Sequence, residues 1–272
     1  MPDIDKEFTG SIPEFYDTYL VPLIFNSYAN DLAERVVDLA PASVLEVAAG
    51  SGVVPRALAP KLPSSVRYVV TDLNQPMLDH AKKNQPTPNT IEWQQADALN
   101  LPFEDASFDT IICQFGVMFY PDRIKGYREA HRVLKPGGTL IFSVWDHIRE
   151  NKFAEIATKA AAEIFPDNPP LFLARTPHGH HDADTISNEL KQGGFIDIAF
   201  ETKADISQAP SPRHPAIAYC QGTPLRNEIE KRDAAKLQTV TDRAAKMIEA
   251  QYGAGSVEAK IQALIFTAKT QS

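Results

Sequence analysis

The chain has 272 residues, 43% of them hydrophobic, which is enough to bury a sizeable core in one large domain or a domain with an elaboration. A net charge of −8 without a dense Lys/Arg block argues against nucleic acid or anionic membrane as the main partner, and two cysteines far apart in sequence argue against a disulfide framework. No apolar run reaches the roughly 18 residues of a transmembrane helix and the acidic N-terminus lacks a signal-peptide core, so we expect a cytoplasmic protein without a membrane span.

Residues 1–40 are predicted to form a helical extension, because "ANDLAERVVDLA" carries its apolar residues at helical spacing. From about residue 42, short β-branched runs alternate with helical stretches. The strands predicted in this region are 43–48, 66–73, 90–97, 108–115 and 139–145, and "KPGG" before the last of them is predicted as a turn. Strands that alternate with helices indicate a doubly wound, mostly parallel α/β sheet.

After residue 148 the pattern loosens. A helix is followed by a loop rich in Pro and His, and the next helix is closed by Gly193 and Gly194, as in a glycine C-cap. A sixth strand is predicted at 196–206, helices over 213–252 and a seventh strand at 260–269. The predicted organisation is a single domain with three parts: a helical extension (1–40), a ligand-binding core (41–148) and a remainder with helical insertions (149–272). The extension and the insertions are predicted to form a lid over the carboxyl ends of the strands.

The stretch "VLEVAAGSG" (44–52) indicates a strand that runs into a tight glycine loop. It does not match the Walker phosphate loop, because no Lys-Ser/Thr pair follows its glycines. It also fails the dinucleotide fingerprint, because the third position is Pro55 and not a small residue. Glu46, near the end of the strand, is a poor neighbour for a pyrophosphate but suits a ligand with positive charge, such as S-adenosylmethionine with its ammonium and sulfonium.

Acidic residues stand near the carboxyl ends of three successive predicted strands: Glu46, Asp72 and Asp97. An acidic residue at the end of the second strand can accept hydrogen bonds from ribose hydroxyls, as in nucleotide-binding α/β folds. Asp97 could accept a bond from an adenine amine, and the N–H of Ala98 could donate to a ring nitrogen. The plainer interpretation of a lone Asp after a strand is a turn or helix-cap residue.

The ordered motifs "VLEVAAGSG", "VVTDLNQPML", "QADALNLPFEDASFD", "TIICQFGVMFYPD" and "HRVLKPGGTLIFSVW" resemble those of the class I S-adenosylmethionine-dependent methyltransferases. Within that family the chain looks most like the methyltransferase type 11 branch, which includes quinone-biosynthesis C-methyltransferases and many small-molecule methyltransferases. One departure is Ala48, which stands where the family has its first glycine. The resemblance implies a Rossmann-like α/β fold: a doubly wound, seven-stranded, mostly parallel sheet whose last strand is antiparallel.

The resemblance also implies a set of cofactor-binding residues, grouped by the part of S-adenosylmethionine that each would contact. They are Glu46, Val47, Ala48, Gly50 and Gly52 for the methionine moiety, Asp72, Leu73 and Met77 for the ribose and adenosine, Asp97 and Ala98 for the adenine, Gln114 and Phe115 beside the sulfonium, and Tyr16 and Tyr19 closing over the cofactor from the N-terminal segment.

The histidines of the loop after the core do not form a convincing metal site. His178, His180 and His181 have the spacing H-x-H-H without a paired cysteine, which is a weak signal, and we predict no metal. One of them, or His147 after the fifth strand, could act as a general base, while the alternative is a solvated loop. The sequence singles out no catalytic residue.

The predicted function is S-adenosylmethionine-dependent methyl transfer to a small-molecule acceptor at O, N or C, which yields S-adenosylhomocysteine. The apolar stretch "QFGVMFY" favours an acceptor that is partly apolar, and a homodimer is a further expectation. Two alternatives remain open: a non-catalytic protein that binds the cofactor and retains the fold, and a nicotinamide-dependent oxidoreductase, which the missing third glycine disfavours.

Overall fold

The computed structural model describes residues 15–86 and 91–272, so the start of the predicted N-terminal helix and of the third predicted strand lie outside the described residues. The strands are β1 (Ser43–Glu46), β2 (Arg67–Asp72), β3 (Ile91–Gln95), β4 (Phe108–Gln114), β5 (Leu134–Trp145), β6 (Ile196–Ala209) and β7 (Val257–Lys269). The helices are α1 (Tyr16–Phe25, wound as a π-helix), α2 (Asn26–Leu39), α3 (Val53–Leu58), α4 (Gln75–Lys83), α5 (Arg123–Val133), α6 (Lys152–Ile164), α7 (Phe172–Arg175), α8 (Ala183–Gln192), α9 (Arg213–Gln221), α10 (Leu225–Asp233) and α11 (Leu237–Tyr252). Short 3₁₀ turns lie at Ala59–Lys61, Val117–Phe119, Ile148–Glu150 and Ala234–Lys236.

The seven strands form one sheet in the order β3-β2-β1-β4-β5-β7-β6. β1 is central, with β2 and β4 paired to it in parallel, and the four residues of β1 are all buried. Such strands are usually apolar, because both faces of a parallel sheet are covered. The hydroxyl of Ser43 is satisfied by a hydrogen bond to Asp109, so the buried carboxylate of Glu46 is the polar group of β1 that needs an explanation.

Strand β7 runs against the others, as the family resemblance implies, in a sheet of six parallel strands and one antiparallel strand. The N–H of Thr270 donates to the carbonyl of Gly138 at 3.0 Å, and that of Asp146 donates to the carbonyl of Gln262 at 3.1 Å. One residue number rises while the other falls, which is the pattern of an antiparallel pair.

The prediction of a turn at "KPGG" before the fifth strand is wrong, because these residues lie inside β5. The pairing of β4 with β5 shifts register between Phe108 and Thr110, which face Leu134 and Thr139 respectively. The extra residues form an irregularity in the strand, and Gly137, with φ of 74°, supplies the left-handed backbone that it requires.

The chain divides into two compact units. The sheet unit comprises Asn26–Val144, His181–Lys203 and Leu264–Ser272; it contains β1 to β4, nearly all of β5 and parts of β6 and β7. The helical unit comprises Met1–Phe25, of which 15–25 are described, together with Trp145–His180 and Ala204–Ala263. Within the helical unit, α11 packs on α6 and α9, and α1 packs on α9.

Two further features of the described residues bear on the predictions. Helix α8 ends at Gly193, and Gly194 follows with φ of 101°, so the glycine C-cap is confirmed. None of the described helices has both the length and the apolar character needed to cross a membrane.

Candidate ligand site at the carboxyl ends of the parallel strands

The loop between β1 and α3 has a backbone that few residues can adopt. Ala48, Gly50 and Gly52 have φ of 55°, 57° and 83°, all in the left-handed region. Alanine is strained there by about 1–2 kcal/mol, which gives a physical reason for the glycine that the family has at the position of Ala48. At Gly52 a side chain has no room, because an added Cβ would lie 2.8 Å from the Cβ of Ala81.

Glu46 is buried at the end of β1, with 1% of its surface exposed. Its Oε2 accepts a hydrogen bond from the hydroxyl of Tyr68 on β2. The pKa of Glu46 is raised to about 8, chiefly by burial and also by the charge of Asp72, while the Tyr68 hydrogen bond and the charge of Arg56 act to lower it. Among the described residues no ion pair to Glu46 is present, and burial makes its ionised form costly, so the site favours a ligand that brings positive charge.

Asp72 ends β2 and is 7% exposed. Its two carboxylate oxygens accept the N–H of Gly50 and the N–H of Asn74, each at 2.8 Å. Burial raises the pKa of Asp72 although these backbone hydrogen bonds act to lower it. The side chain thereby connects the end of β2 to the glycine loop.

The loop also holds a buried hydroxyl that could bind a ligand. Among the described residues, Oγ of Ser51 is buried and has no hydrogen-bond partner. A buried polar atom of this kind costs about 1–3 kcal/mol when it stays unsatisfied. Together with the two carboxyl groups and the left-handed loop, it gives the sheet unit a set of polar groups that suits a polar, positively charged ligand.

The end of β4 is joined to the same loop. Phe115 has φ of 53°, and its N–H donates to the carbonyl and the hydroxyl of Ser143 at 3.1 and 3.2 Å. Its ring meets that of Tyr28 edge to face, with 5.4 Å between the centroids. A Cβ added at the next residue, Gly116, would lie 2.6 Å from the Cβ of Ala48, so the loops after β1 and β4 are in close contact.

The remaining predicted residues of the sheet unit lie around this loop or after β3. Met77 is buried, and its Cε is 3.9 Å from the position of a Cβ at Gly50, whereas Leu73 is 49% exposed. Asp97 is exposed and accepts the N–H of Leu99 at 2.9 Å, which is the turn role weighed for it from the sequence. An adenine contact for Asp97 and the half-exposed Ala98 stays a prediction.

Tyr16 and Tyr19 lie in the helical unit, on α1. Tyr16 stacks on Phe25 at 5.2 Å, and the ring of Tyr19 lies 5.0 Å from that of His214. These contacts explain how α1 is held within its own unit. The predicted closure of both tyrosines over a cofactor stays a prediction.

The solvated-loop interpretation is wrong for His178 and His180, which are 4% and 7% exposed. Nδ1 of His178 lies 2.9 Å from the carbonyl oxygen of Asp146. His147 differs, because its Nδ1 accepts the N–H of Arg149 at 3.1 Å and caps a 3₁₀ turn. Among the residues that the structure describes, no group of three or more His, Cys, Asp or Glu side chains could hold a metal ion.

Three residues contribute to this site without having been identified from the sequence: Tyr68, Ser143 and Gly116. Tyr68 lies opposite Val44 in the sheet, so it shares a face with Glu46. The two-residue period of strands would have placed it there, but only once the register of β1 and β2 was known. Gly116 carries a local signal, because it follows directly on the end of a predicted strand.

Comparison with known proteins identifies the sheet unit. A family model described as a methyltransferase domain matches residues 45–142. The chain is 34% identical over 173 residues to the ubiquinone/menaquinone biosynthesis C-methyltransferase of Rickettsia felis, which covers 58% of this chain and 70% of that protein. It is 31% identical over 207 residues to the demethylmenaquinone methyltransferase of Paenarthrobacter aurescens, which covers 71% and 78%.

Solved structures show the same fold at low sequence identity. An S-adenosylmethionine-dependent methyltransferase of Thermotoga maritima superposes with a TM-score of 0.55 at 15% identity, over the full length of both chains. Phosphoethanolamine N-methyltransferase 2 of Haemonchus contortus, crystallised with S-adenosyl-L-methionine, gives 0.53 at 18% identity over 97% of this chain and 61% of that one.

Proposed function

The chain belongs to the S-adenosylmethionine-dependent methyltransferases, and we propose that its cofactor is held by the carboxyl ends of β1, β2 and β4 in the sheet unit. The enzyme transfers a methyl group to a small molecule, and the bound cofactor supplies that group on a sulfonium. The observation that carries the proposed site is the pair of buried carboxyl groups, Glu46 and Asp72, around a loop of left-handed backbone.

We assign the methionine end of the cofactor to Glu46 and to the loop formed by Val47, Ala48, Gly50 and Gly52. An ammonium group would supply the positive charge that the buried Glu46 lacks and would favour its ionised form. The Tyr68 hydroxyl holds the Glu46 carboxyl in place. The absence of a side chain at Gly50 lets the ligand approach the backbone closely, and Gly52 lets the loop pack against Ala81.

We assign the ribose to Asp72, whose carboxylate is already oriented by Gly50 and Asn74. Leu73 and Met77 would pack on the adenosine, and Asp97 with the N–H of Ala98 would contact the adenine. The exposure of Leu73 supports this assignment, because a large apolar side chain that is 49% exposed beside a polar site is available to cover a ligand.

At the end of β4, Gln114 and Phe115 would lie beside the sulfonium. The two hydrogen bonds from the Phe115 N–H to Ser143 and the contact with Tyr28 hold this segment in one conformation. Rigid support of this kind is how a methyltransferase contributes to rate, because catalysis of an in-line displacement is largely positioning. Tyr16 and Tyr19 are proposed to close over the cofactor from the N-terminal segment.

For the acceptor we propose a small, partly apolar molecule with a hydroxylated aromatic ring. The names of the curated relatives, which refer to ubiquinone, menaquinone and demethylmenaquinone, support this class. A homodimer and a cytoplasmic location complete the proposal; the two cysteines, both buried and unbridged, agree with a reducing compartment.

Calorimetry and a turnover assay test the proposed function. S-Adenosylmethionine and S-adenosylhomocysteine are expected to bind one equivalent per chain, while NADH gives no heat. Release of S-adenosylhomocysteine is then followed with a panel of phenols, hydroquinones, thiols and amines. Cofactor binding without turnover on any acceptor would favour the non-catalytic alternative, and the absence of cofactor binding would contradict the assigned site.

A further inference from the structure

The connection between β3 and β4 lacks the helix that this class of fold usually places there. Two parallel strands are joined by a crossover, usually an α-helix that packs on the sheet. Residues 96–107, all of which the structure describes, contain no helix and no further strand of the sheet. This connection carries Asp97 and Ala98, which we assign to the adenine, so something other than a helix has to hold it in place.

A turn at the start of this connection positions Asp97. The N–H of Ala96 donates to the carbonyl of Asp72 at 3.0 Å, so the backbone is still joined to β2 just before the turn. The N–H of Asn100 donates to the carbonyl of Asp97 at 2.9 Å, and the N–H of Leu99 donates to Asp97 Oδ1 at 2.9 Å. A carboxylate accepts several hydrogen bonds, so this turn role leaves Asp97 able to accept an adenine amine.

The far end of the turn is held by two charged residues of α5, Glu129 and Arg132. Leu101 is 4% exposed, so both of its backbone polar groups need partners within the protein. Its N–H donates to Oε2 of Glu129 at 2.8 Å, and its carbonyl accepts from Nη2 of Arg132 at 2.8 Å. One pair of side chains therefore fixes both backbone polar groups of a buried residue that closely follows Ala98.

Arg132 uses every N–H of its guanidinium in these contacts. Besides the Leu101 carbonyl, it binds the carbonyl of Phe103 and the carboxylate of Asp105, each at 2.8 Å. Its other two N–H groups donate to the two carboxylate oxygens of Glu129 at 3.0 and 2.9 Å. A guanidinium presents five donors in a fixed, planar fork, so the whole segment after the turn is tied to one side chain of α5.

The pair of Glu129 and Arg132 stays ionised at neutral pH. The hydrogen bond from Arg132 lowers the pKa of Glu129, although partial burial of the carboxyl group acts in the opposite direction. The two residues are three positions apart on α5, so they share a face of the helix. Both belong to the sheet unit, as do Asp97, Ala98 and Leu101. The pair and the proposed cofactor site are therefore parts of the same unit.

We propose that Glu129 and Arg132 are positioning residues for adenine recognition, because they hold the turn of Asp97 and Ala98 in the conformation that binds the base. The inference rests on the proposed function and extends it to two residues that act through the turn. Adenine has an amine that would donate to the Asp97 carboxylate and a ring nitrogen that would accept the Ala98 N–H. Hydrogen bonds depend steeply on direction, so these two contacts select adenine only while the turn keeps its place.

The test compares two ligands that differ only in the base. S-Inosylhomocysteine has hypoxanthine in place of the adenine of S-adenosylhomocysteine, so a carbonyl oxygen would face Asp97 and a ring N–H would face the N–H of Ala98. Calorimetry on the wild type should show a preference for S-adenosylhomocysteine of about tenfold or more, because two hydrogen bonds are replaced by repulsive contacts. In Arg132→Met we expect this preference to fall about three- to tenfold, while the affinity for S-inosylhomocysteine stays within about twofold of the wild type.

Arg123→Met is the matched control, because Arg123 also lies on α5 and forms an ion pair, in its case with Glu189 of α8 at 3.1 Å. The side chains of Arg123 and Arg132 are 34% and 32% exposed, so the two substitutions remove equally exposed charges. Arg123→Met should keep the wild-type preference. Glu129→Gln has the shape of the native side chain and keeps an oxygen for the Leu101 N–H but loses the charge that holds Arg132, so it should lower the preference about two- to fivefold. This variant provides the test if Arg132→Met does not fold.

Three other results would overturn the inference. An unchanged preference in the folded Arg132 and Glu129 variants, or an equal loss of affinity for both ligands, would show that the pair only stabilises the fold. An equal fall of the preference in Arg123→Met would trace the effect to α5 as a whole. A wild type that binds both ligands equally well would show that the turn does not recognise the base, although the methyltransferase assignment would stand. Only a wild type that binds neither ligand would contradict the proposed function as well.

Discussion

The hydroxyl of Tyr68 donates a hydrogen bond to Oε2 of Glu46, and neither side chain has more than 3% of its surface exposed. Glu46 is the last residue of β1, directly before the glycine loop, and Tyr68 is the second residue of β2, opposite Val44. A neutral hydroxyl can hold a carboxyl group without supplying charge. The positive charge that would balance Glu46 is therefore left to the ligand, and this gives the first of four predictions.

Glu46→Gln should change how the stability of the cofactor-free protein depends on pH. The pKa of Glu46 is raised from 4.5 to about 8, so between these values the folded protein holds a proton that the unfolded chain has lost. The free energy of unfolding should therefore fall as the pH rises from 4.5 to 8, by a few kcal/mol, and this decline should be smaller in Glu46→Gln. Urea unfolding of both proteins at several pH values measures the free energy of unfolding.

The matched control for this prediction is Glu104→Gln, at an exposed position, which should leave the pH dependence as it is in the wild type. S-Adenosylhomocysteine should flatten the decline in the wild type, because its ammonium favours the ionised carboxylate. An identical slope in wild type and Glu46→Gln would show that Glu46 does not titrate in this range.

Asp72→Ala should weaken binding of S-adenosylhomocysteine by about 1–3 kcal/mol, because ribose hydroxyls lose their acceptor. The structure adds a second reason, since the Gly50 N–H also loses its partner and the glycine loop is less well ordered. Asp79→Ala on α4 removes an exposed carboxylate and should bind as the wild type does. Calorimetry compares the three proteins, and equal affinities would rule out the ribose assignment.

Gly116→Ala should destabilise the protein by about 1–3 kcal/mol and weaken cofactor binding, because the new methyl group would push the loop after β4 away from Ala48 and Cys113. Gly255→Ala is the control, since an added Cβ there meets nothing within 4 Å. It should stay within about 0.5 kcal/mol of the wild type. Thermal and chemical unfolding with and without S-adenosylhomocysteine separate the loss of stability from the loss of cofactor binding. If Gly116→Ala changed neither, the loops after β1 and β4 would be able to move apart without cost.

Segment 1–30 should become more protected from hydrogen exchange when S-adenosylhomocysteine is added. This is expected if the N-terminal segment acts as a lid, because closure over the cofactor would make local opening rarer. The peptides that contain Tyr16 and Tyr19 are the informative ones. Equal protection with and without the ligand would contradict the lid, and peptides of α11 provide an internal reference.

Much of the fold could be predicted from local patterns. The strands from β1 to β4 lie within a few residues of their predicted positions, because short buried strands leave a strong apolar signal between turn residues. The error at "KPGG" has a non-local cause. Gly137 and Gly138 continue β5 because β7 pairs with them: the Gly137 N–H donates to the Gln271 carbonyl and the Gly138 carbonyl accepts the Thr270 N–H.

The site was predictable in outline but not in its partners. Glu46 and Asp72 could be identified by their places at the ends of strands, whereas the Tyr68 contact depends on the register of two strands. His178 illustrates the same limit, because its loop looks polar and exposed in the sequence. In the structure His178 is buried, and its ring is hydrogen-bonded to the carbonyl of Asp146, which lies 32 residues earlier in the chain. No local sequence pattern encodes a contact between residues so far apart.

The two edge strands of the sheet differ in a way that matters for handling the protein. β3 has 5 residues, whereas β6 has 14 and leaves Ile196, Phe200 and Ile206 about half exposed. Long apolar edges invite pairing with other chains, and charged side chains along an edge oppose it. Glu201 is already paired with Arg35 of α2, which leaves Asp197 as a charge near the start of this strand. If the purified protein aggregates, β6 is therefore the edge from which the aggregates are expected to grow.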